Sequence, residues 1–286
     1  MKIMHRQSNI LIKKADRALG LIIQIFVLIN WIYDKIRNLF KKTVPVIKKI
    51  FIIKICCFGD AVLTLPCMRA LKKKYPESEI TVLTSLRAVR VFQNHVFIDR
   101  VLVLPLTGKE KAFGPEWFLK ILKGIADIMP PVASGADMVI DFDLYYRFTA
   151  LITLCLRAPL RFGFDLIPQK AAAYTRTVPR PIKRAEFECF FDLVKLAGAE
   201  PDYGYVDFKI ERSLIDESRR YLKHSGMAPN NKLVLVFPGA SPNWPEKRWP
   251  AEYFSQVIKK LNKLDRVKVA VMGDLYDTNI FKKLHQ

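Results

Sequence analysis

Two short stretches carry the side chains best suited to chemistry. Residues 51–66 read FIIKICCFGDAVLTLP, an apolar run that breaks at Phe58-Gly59-Asp60 before a second apolar pattern starts. A carboxylate at the mouth of a buried strand has two readings. Asp60 falls at or beside a helix N-cap and accepts backbone N–H bonds, or it is a general base that takes a proton from a hydroxyl. Gly59 is the residue expected to let the chain turn sharply there. Residues 238–250 read PGASPNWPEKRWP. Gly239 and Ala240 allow close backbone approach, Ser241 offers a hydroxyl, and Lys247 places a cation near a helix start. Together they would make a diphosphate site. The competing reading is a solvated loop with Trp244 and Trp249 tucked against a sheet.

Other chemistries find less support. The five cysteines are Cys56, Cys57, Cys67, Cys155 and Cys189, with no C-x-x-C pair. Neither a zinc site nor a disulfide framework fits that spacing, and a reducing cytosol is the simplest home. No G-x-G-x-x-G follows the first apolar run, so a dinucleotide cofactor is not supported.

The elements around these stretches alternate. KKIFIIKICC is a β-branched run suited to a strand buried on both faces. DAVLTLPCMRALKKKYP follows as a helix, with Pro66 early and Lys72 to Lys74 closing its last turn. EITVLTS, RVLVLP, ADMVIDFD and LRFGFD read as further strands. EWFLKILKGIADIM (116–129) and RFTALITLCLRA read as helices. Such alternation implies a parallel sheet with right-handed crossovers, and ligands then bind at strand carboxyl ends. CCFGDA, LTSLR and DFDLYYR all sit at such ends. After the helices AEFECFFDLVKLAGAE and SLIDESRRYLKHSGM, the alternation restarts with KLVLVFPGAS, AEYFSQVIKKLNKL and RVKVAVMGD.

The chain has 286 residues, half of them apolar, and so has ample material for two cored domains. Its formal charge is +20, which points to an anionic partner. Residues 1–50 hold eleven Lys/Arg against Asp16 and Asp34, so +9 of that charge lies in the first fifty. This uneven placement argues against a nucleic-acid-binding fold. Residues 18–33, ALGLIIQIFVLINWIY, carry no charge and have basic residues on both sides. The run is short of the roughly 20 apolar residues of a spanning helix. Trp31 and Tyr33 suit a membrane interface, and the basic flanks suit anionic headgroups. A helix in the membrane surface, a short anchor, and a helix packed on protein are the three readings.

FGDAVLTLPCMRALKKKYPESEITVL resembles the N-terminal signature of glycosyltransferase family 9, which contains the lipopolysaccharide heptosyltransferases. DMVIDFDLYYRFTALITLCLRAPLRFGFD and PGAS…KRWPAEYFSQVIKKL resemble later segments of the same family, in the same order. The resemblance implies an α/β fold of GT-B type, with two Rossmann-like domains. The N-terminal one would take a lipid-linked saccharide acceptor and the C-terminal one a nucleotide sugar, ADP-heptose. It implies an inverting transfer onto lipopolysaccharide core without a metal or other cofactor, in the cytoplasm at the inner membrane. Asp60 would be the base and Lys247 would steady the leaving diphosphate. Gly239, Ala240 and Ser241 would hold that diphosphate. Arg87, Arg90 and Arg147 would meet acidic sugars or phosphates, or are solvated surface charge.

The expected organisation is a membrane-associating segment over 1–47, an acceptor domain over 48–170, a helical connection over 171–230, and the start of a donor domain over 231–286. The last is expected to be incomplete, since a Rossmann-like half needs more strands and the family's later donor segment has no counterpart. The alternative function is a non-catalytic remnant or membrane-tethered binding protein of the same family.

Overall fold

The computed structural model describes residues 10–40, 46–55, 57–105, 134–144, 146–181, 183–206, 210–240, 245–273 and 277–284, with isolated positions between 106 and 133. The helix expected over 116–129 and the hydroxyl of Ser241 fall largely or wholly outside them. The chain divides into two compact units, 1–209 and 210–286.

In the first unit, strands β1 (Lys49–Ile53), β2 (Glu79–Ser85), β3 (Arg100–Leu104), β4 (Met138–Asp141), β5 (Leu160–Phe164) and β6 (Arg176–Val178) form one sheet. The order is β3-β2-β1-β4-β5-β6, and every pairing is parallel. The order reverses between β1 and β4, which opens a crevice at their carboxyl ends. Side chains alternate across the sheet. Ile50 and Ile52 join Leu65, Met68 and Phe190 in a core on one face. Phe51 and Ile53 join Leu83, Val139 and Ile152 on the other. This double burial accounts for the continuous apolar run in β1.

Helix α2 (Phe58–Lys74) buries Ala61, Thr64, Leu65, Met68 and Leu71, the spacing of one helical face. Two details differ from expectation. The turn into α2 is made by Cys57, at φ 64°, and not by Gly59, which is already helical. Because α2 starts at Phe58, Pro66 lies mid-helix, where its missing N–H leaves the Val62 carbonyl without its helical partner.

The first unit runs past the boundary expected at residue 170. β6 completes the sheet, and α6 (Glu186–Leu196) supplies Phe190, Leu193 and Val194 to the core against α2. Short helices α3 (Val89–Phe92) and α5 (Pro168–Ala171) and the longer α4 (Phe148–Cys155) complete the connections. At the amino end, α1 (Ile10–Phe40) packs on this unit. Its Ile23 meets Ala150, Leu154 and Ala173, and Asp34 accepts a hydrogen bond from Arg161 at 3.0 Å.

The second unit contains α7 (Arg212–His224), β7 (Lys232–Val236), α8 (Ala251–Leu261), β8 (Val267–Val271) and α9 (Thr278–Leu284). β7 and β8 pair in parallel from Lys232↔Val267 to Val236↔Val271.

Two glycines should respond oppositely to a methyl group. A Cβ at Gly59 meets nothing within 4 Å, whereas one at Gly163 strikes the ring of Tyr174. Gly59→Ala should stabilise by about 0.5 kcal/mol, through lost freedom of the unfolded chain. Gly163→Ala should destabilise by about 1–3 kcal/mol through overpacking. Urea unfolding of the two variants checks both signs.

Candidate active site

The crevice between β1 and β4 is floored with buried charge. Lys54 directly follows β1 and is 2% exposed. Its Nζ lies 3.8 Å from Asp60 Oδ2 and 3.5 Å from Asp143 Oδ1, and 5.5 Å from the centre of the Phe190 ring. Asp143 is itself buried, and its Oδ2 accepts the Ile55 N–H at 2.6 Å. One carboxylate thus ties the end of β4 to the chain leaving β1. Ser85, the last residue of β2, donates to the Ile55 carbonyl at 2.8 Å.

The network continues inward. Asp143 donates its N–H to Asp141 Oδ1 at 2.9 Å. Asp141, fully buried at the end of β4, accepts from Thr149 Oγ1 and Tyr174 OH, each at 2.6 Å. Lys170 Nζ stands 3.1 Å from Asp141 Oδ2 and also donates to the Asp143 carbonyl. Burial pushes the Asp141 carboxyl up, and the Lys170 cation opposes that. Burial and the neighbouring Asp141 charge push Tyr174 well above the ordinary phenol range, so its OH remains a donor. Tyr174 reaches Asp141 by lying against Gly163, which explains the glycine between two phenylalanines in β5.

Asp60 is where this network meets solvent. It is the third residue of α2, in the first turn, with its side chain 36% exposed. The position preceding the helix belongs to Cys57, and no side chain caps it, so the cap reading of Asp60 does not hold. Burial raises the Asp60 carboxyl above its ordinary value, Glu186 and Asp143 add to the rise, and Lys54 and the Cys57 side chain oppose it. The result is a carboxylate more basic than a free one, held beside a buried cation and open on one side. Such a group can take a proton from a bound hydroxyl.

The residues singled out in the second unit lie after β7. A Cβ at Gly239 would collide with the Asp277 carboxylate, and one at Gly273 would stand 2.7 Å from it. Gly239 therefore does admit a close approach, and the buried Asp277 makes it. Arg248 donates to the Ala240 carbonyl at 2.9 Å and lies 3.8 Å from Asp277 Oδ1. Lys247 ends a 3₁₀ turn, Pro245–Lys247, and is exposed. Gly239, Ala240 and Lys247 thus share the second unit, and Asp60 belongs to the first. Arg87 is an exposed residue after β2, and Arg147 is half-buried just before α4. Among the described residues, no group of three His, Cys, Asp or Glu is placed to hold a metal ion.

Lys54, Asp141, Asp143, Lys170 and Tyr174 were not among the residues selected by sequence. Two signals were available: a lysine inside an apolar strand run, and paired aspartates, DFD, closing another strand.

A parallel sheet with a polar crevice at its order reversal, and a carboxylate in the first turn of α2 beside it, defines a Rossmann-like α/β unit. The family model for glycosyltransferase family 9 (heptosyltransferase) matches residues 133–285, and the chain belongs to that family. The match includes DFDLYYR and PGAS…KRWP and begins after the stretch containing Asp60. Among solved structures, the fold is similar to a family 9 glycosyltransferase from Veillonella parvula DSM 2008, with TM-score 0.70 and 20% identity. That comparison covers 84% of this chain and 66% of the Veillonella chain. It is also similar to E. coli ADP-heptose LPS heptosyltransferase II, with TM-score 0.60, 14% identity, and 82% and 67% of the two chains covered. E. coli heptosyltransferase WaaC with ADP-2-deoxy-2-fluoro heptose gives TM-score 0.60 and 18% identity over 83% and 73%. No curated protein sequence matches the chain. These likenesses bear out the expected α/β fold of GT-B type.

Removing one partner of the buried charge network should be costly, because it leaves an uncompensated ion. Lys170→Met should destabilise by about 3–5 kcal/mol, and Tyr174→Phe, which removes one donor to Asp141, by about 1–3 kcal/mol. Urea unfolding of each variant measures the difference.

Proposed function

We propose that the chain takes part in an inverting sugar transfer, from a nucleotide sugar to a saccharide acceptor. Asp60 is the general base. The observation that carries this reading is the placement of Asp60. It is a carboxylate raised above its ordinary value, one-third exposed and 3.8 Å from a buried ammonium, at the point where parallel sheets bind ligands.

In the proposed step, the acceptor hydroxyl oxygen attacks the anomeric carbon from the face opposite the leaving group. The new C–O bond forms as the bond to the diphosphate oxygen breaks, and the hydroxyl proton passes to Asp60. Lys54 orients the Asp60 carboxylate and offsets its charge. Negative charge grows on the departing diphosphate, and an exposed cation such as Lys247 would stabilise it. The backbone of Gly239 and Ala240 and the Ser241 hydroxyl would hold that group. The mechanism as proposed calls on no metal or other cofactor.

Heptose from ADP-heptose is the proposed donor sugar, and a lipopolysaccharide core saccharide the proposed acceptor. The support is family membership and the fold shared with enzymes named for that chemistry. A lipid-linked acceptor places the work at the cytoplasmic face of the inner membrane.

Sugar transfer from ADP-heptose by the purified chain tests the reading. Asp60→Asn should lower kcat by about 10²–10⁴-fold with unfolding behaviour unchanged. Since the base must be unprotonated, activity falls as pH drops through the raised Asp60 value. The acidic limb of kcat/KM should therefore lie above 3.8. Lys54 holds that value down, so Lys54→Met should move the limb to higher pH. A limb that stays in place in Lys54→Met, or full activity in Asp60→Asn, refutes the assignment.

A further inference from the structure

Helix α1 has two sides of opposite character. Along one side, Leu19, Ile23, Phe26 and Val27 pack against α4 and Ala173. Arg161 fixes that side: its Nη2 meets Asp34 at 3.0 Å, while Nε and Nη1 donate to the carbonyls of Ala173 and Ala158. On the other side, Leu21, Ile25, Leu28, Ile29, Ile32 and Ile36 share one helical face, and each is roughly half exposed. Six aliphatic side chains in line over sixteen residues make a strip about 23 Å long, an unusual thing to offer to water.

We infer that α1 is an in-plane membrane helix. Clasped to the first unit along one side, it lays the opposite aliphatic strip into the headgroup–acyl boundary of an anionic bilayer. This deepens the membrane-side reading given above and rests on it.

Charge selects the occupant. Lys13, Lys14 and Arg17 precede the strip, and Arg37, Lys41 and Lys42 follow it. Lys35 lies 4.1 Å from the centre of the Trp31 ring beside the strip. Basic flanks and an interfacial tryptophan match an anionic lipid surface. A second copy of this chain fits poorly, since pairing two strips in either direction sets one basic flank against another.

The clasp selects the mode. The segment Leu19–Ile36 has a mean hydropathy of 1.6, enough to cross a membrane by length and composition. Crossing, however, would carry Asp34 toward lipid and strip the buried Arg161 guanidinium of its carboxylate. Lying flat keeps the ion pair, the apolar packing and the exposed strip all in use.

The test uses the full chain and sucrose-loaded vesicles of phosphatidylcholine, with or without about 30 mol% phosphatidylglycerol. Cosedimentation should be about tenfold stronger on the anionic vesicles. Ile25→Glu combined with Ile32→Glu should weaken it about tenfold or more, without altering the thermal unfolding of the soluble chain. A lock separates flat from spanning: a Cβ at Gly20 lies 3.8 Å from Gln169 Cγ, within reach of a disulfide after Gly20→Cys with Gln169→Cys. Oxidised and reduced forms should bind equally. Failure of the lock to form, or loss of binding on oxidation, overturns the in-plane mode while leaving a membrane partner standing. Absence of wild-type binding to anionic vesicles removes the membrane partner itself. Self-association abolished by the glutamate pair would hand the strip to a second copy.

Discussion

A lysine ammonium with almost no water contact sits at the strand-order reversal of the first sheet, and its neighbourhood is built around its needs. Burying such an ion costs several kcal/mol unless charges and hydrogen bonds surround it. Lys54 has Asp143 at 3.5 Å and Asp60 at 3.8 Å. Asp143 must in turn be held, and the Ile55 N–H and the Lys170 contact at its carbonyl do so. Lys170 brings in Asp141, and Asp141 brings in Thr149 and Tyr174. The chain of obligations ends only at Gly163, whose missing side chain gives the Tyr174 ring its place.

This arrangement joins stability to chemistry. A carboxylate on the first turn of a helix is ordinarily mobile and well hydrated. Here burial and neighbouring carboxylates raise the Asp60 value while one shared cation limits the rise. The group is more basic than a free carboxylate, and it is held on a rigid floor. The rigidity comes from the parallel sheet, since β1 and β4 are central strands packed on both faces by apolar residues.

Much of the first unit was legible because its signals are local and repeated. Apolar runs of strand length alternated with helical spacing, so the parallel sheet and the exposed strand ends followed. Asp60 stood out because a charge breaks an apolar pattern. The sequence leaves Asp60 both a cap and a base, since nothing in CCFGD announces that Cys57, rather than Gly59, takes the left-handed turn. Lys54 was overlooked because a single lysine within a strand reads as a charge escaping to solvent. Its partner Asp143 is 89 positions away, and only the folded sheet brings the two to one place. In the second unit, Gly239 signals a close backbone approach, and no local pattern shows that Asp277 from a later turn makes one there.

That last contact ties Gly239 to a pair of positions more than thirty residues further on, Gly273 and Asp277. Asp277 fits beneath the ends of β7 and β8 only because Gly239 and Gly273 both lack a side chain. The three residues therefore pack as a unit. An alanine at either glycine would press on the Asp277 side chain, and at 273 on the Phe281 ring as well. Tolerance of such an alanine would require the Asp277 side chain to move aside. Any redesign of the loops leaving these two strands must treat the trio as one site.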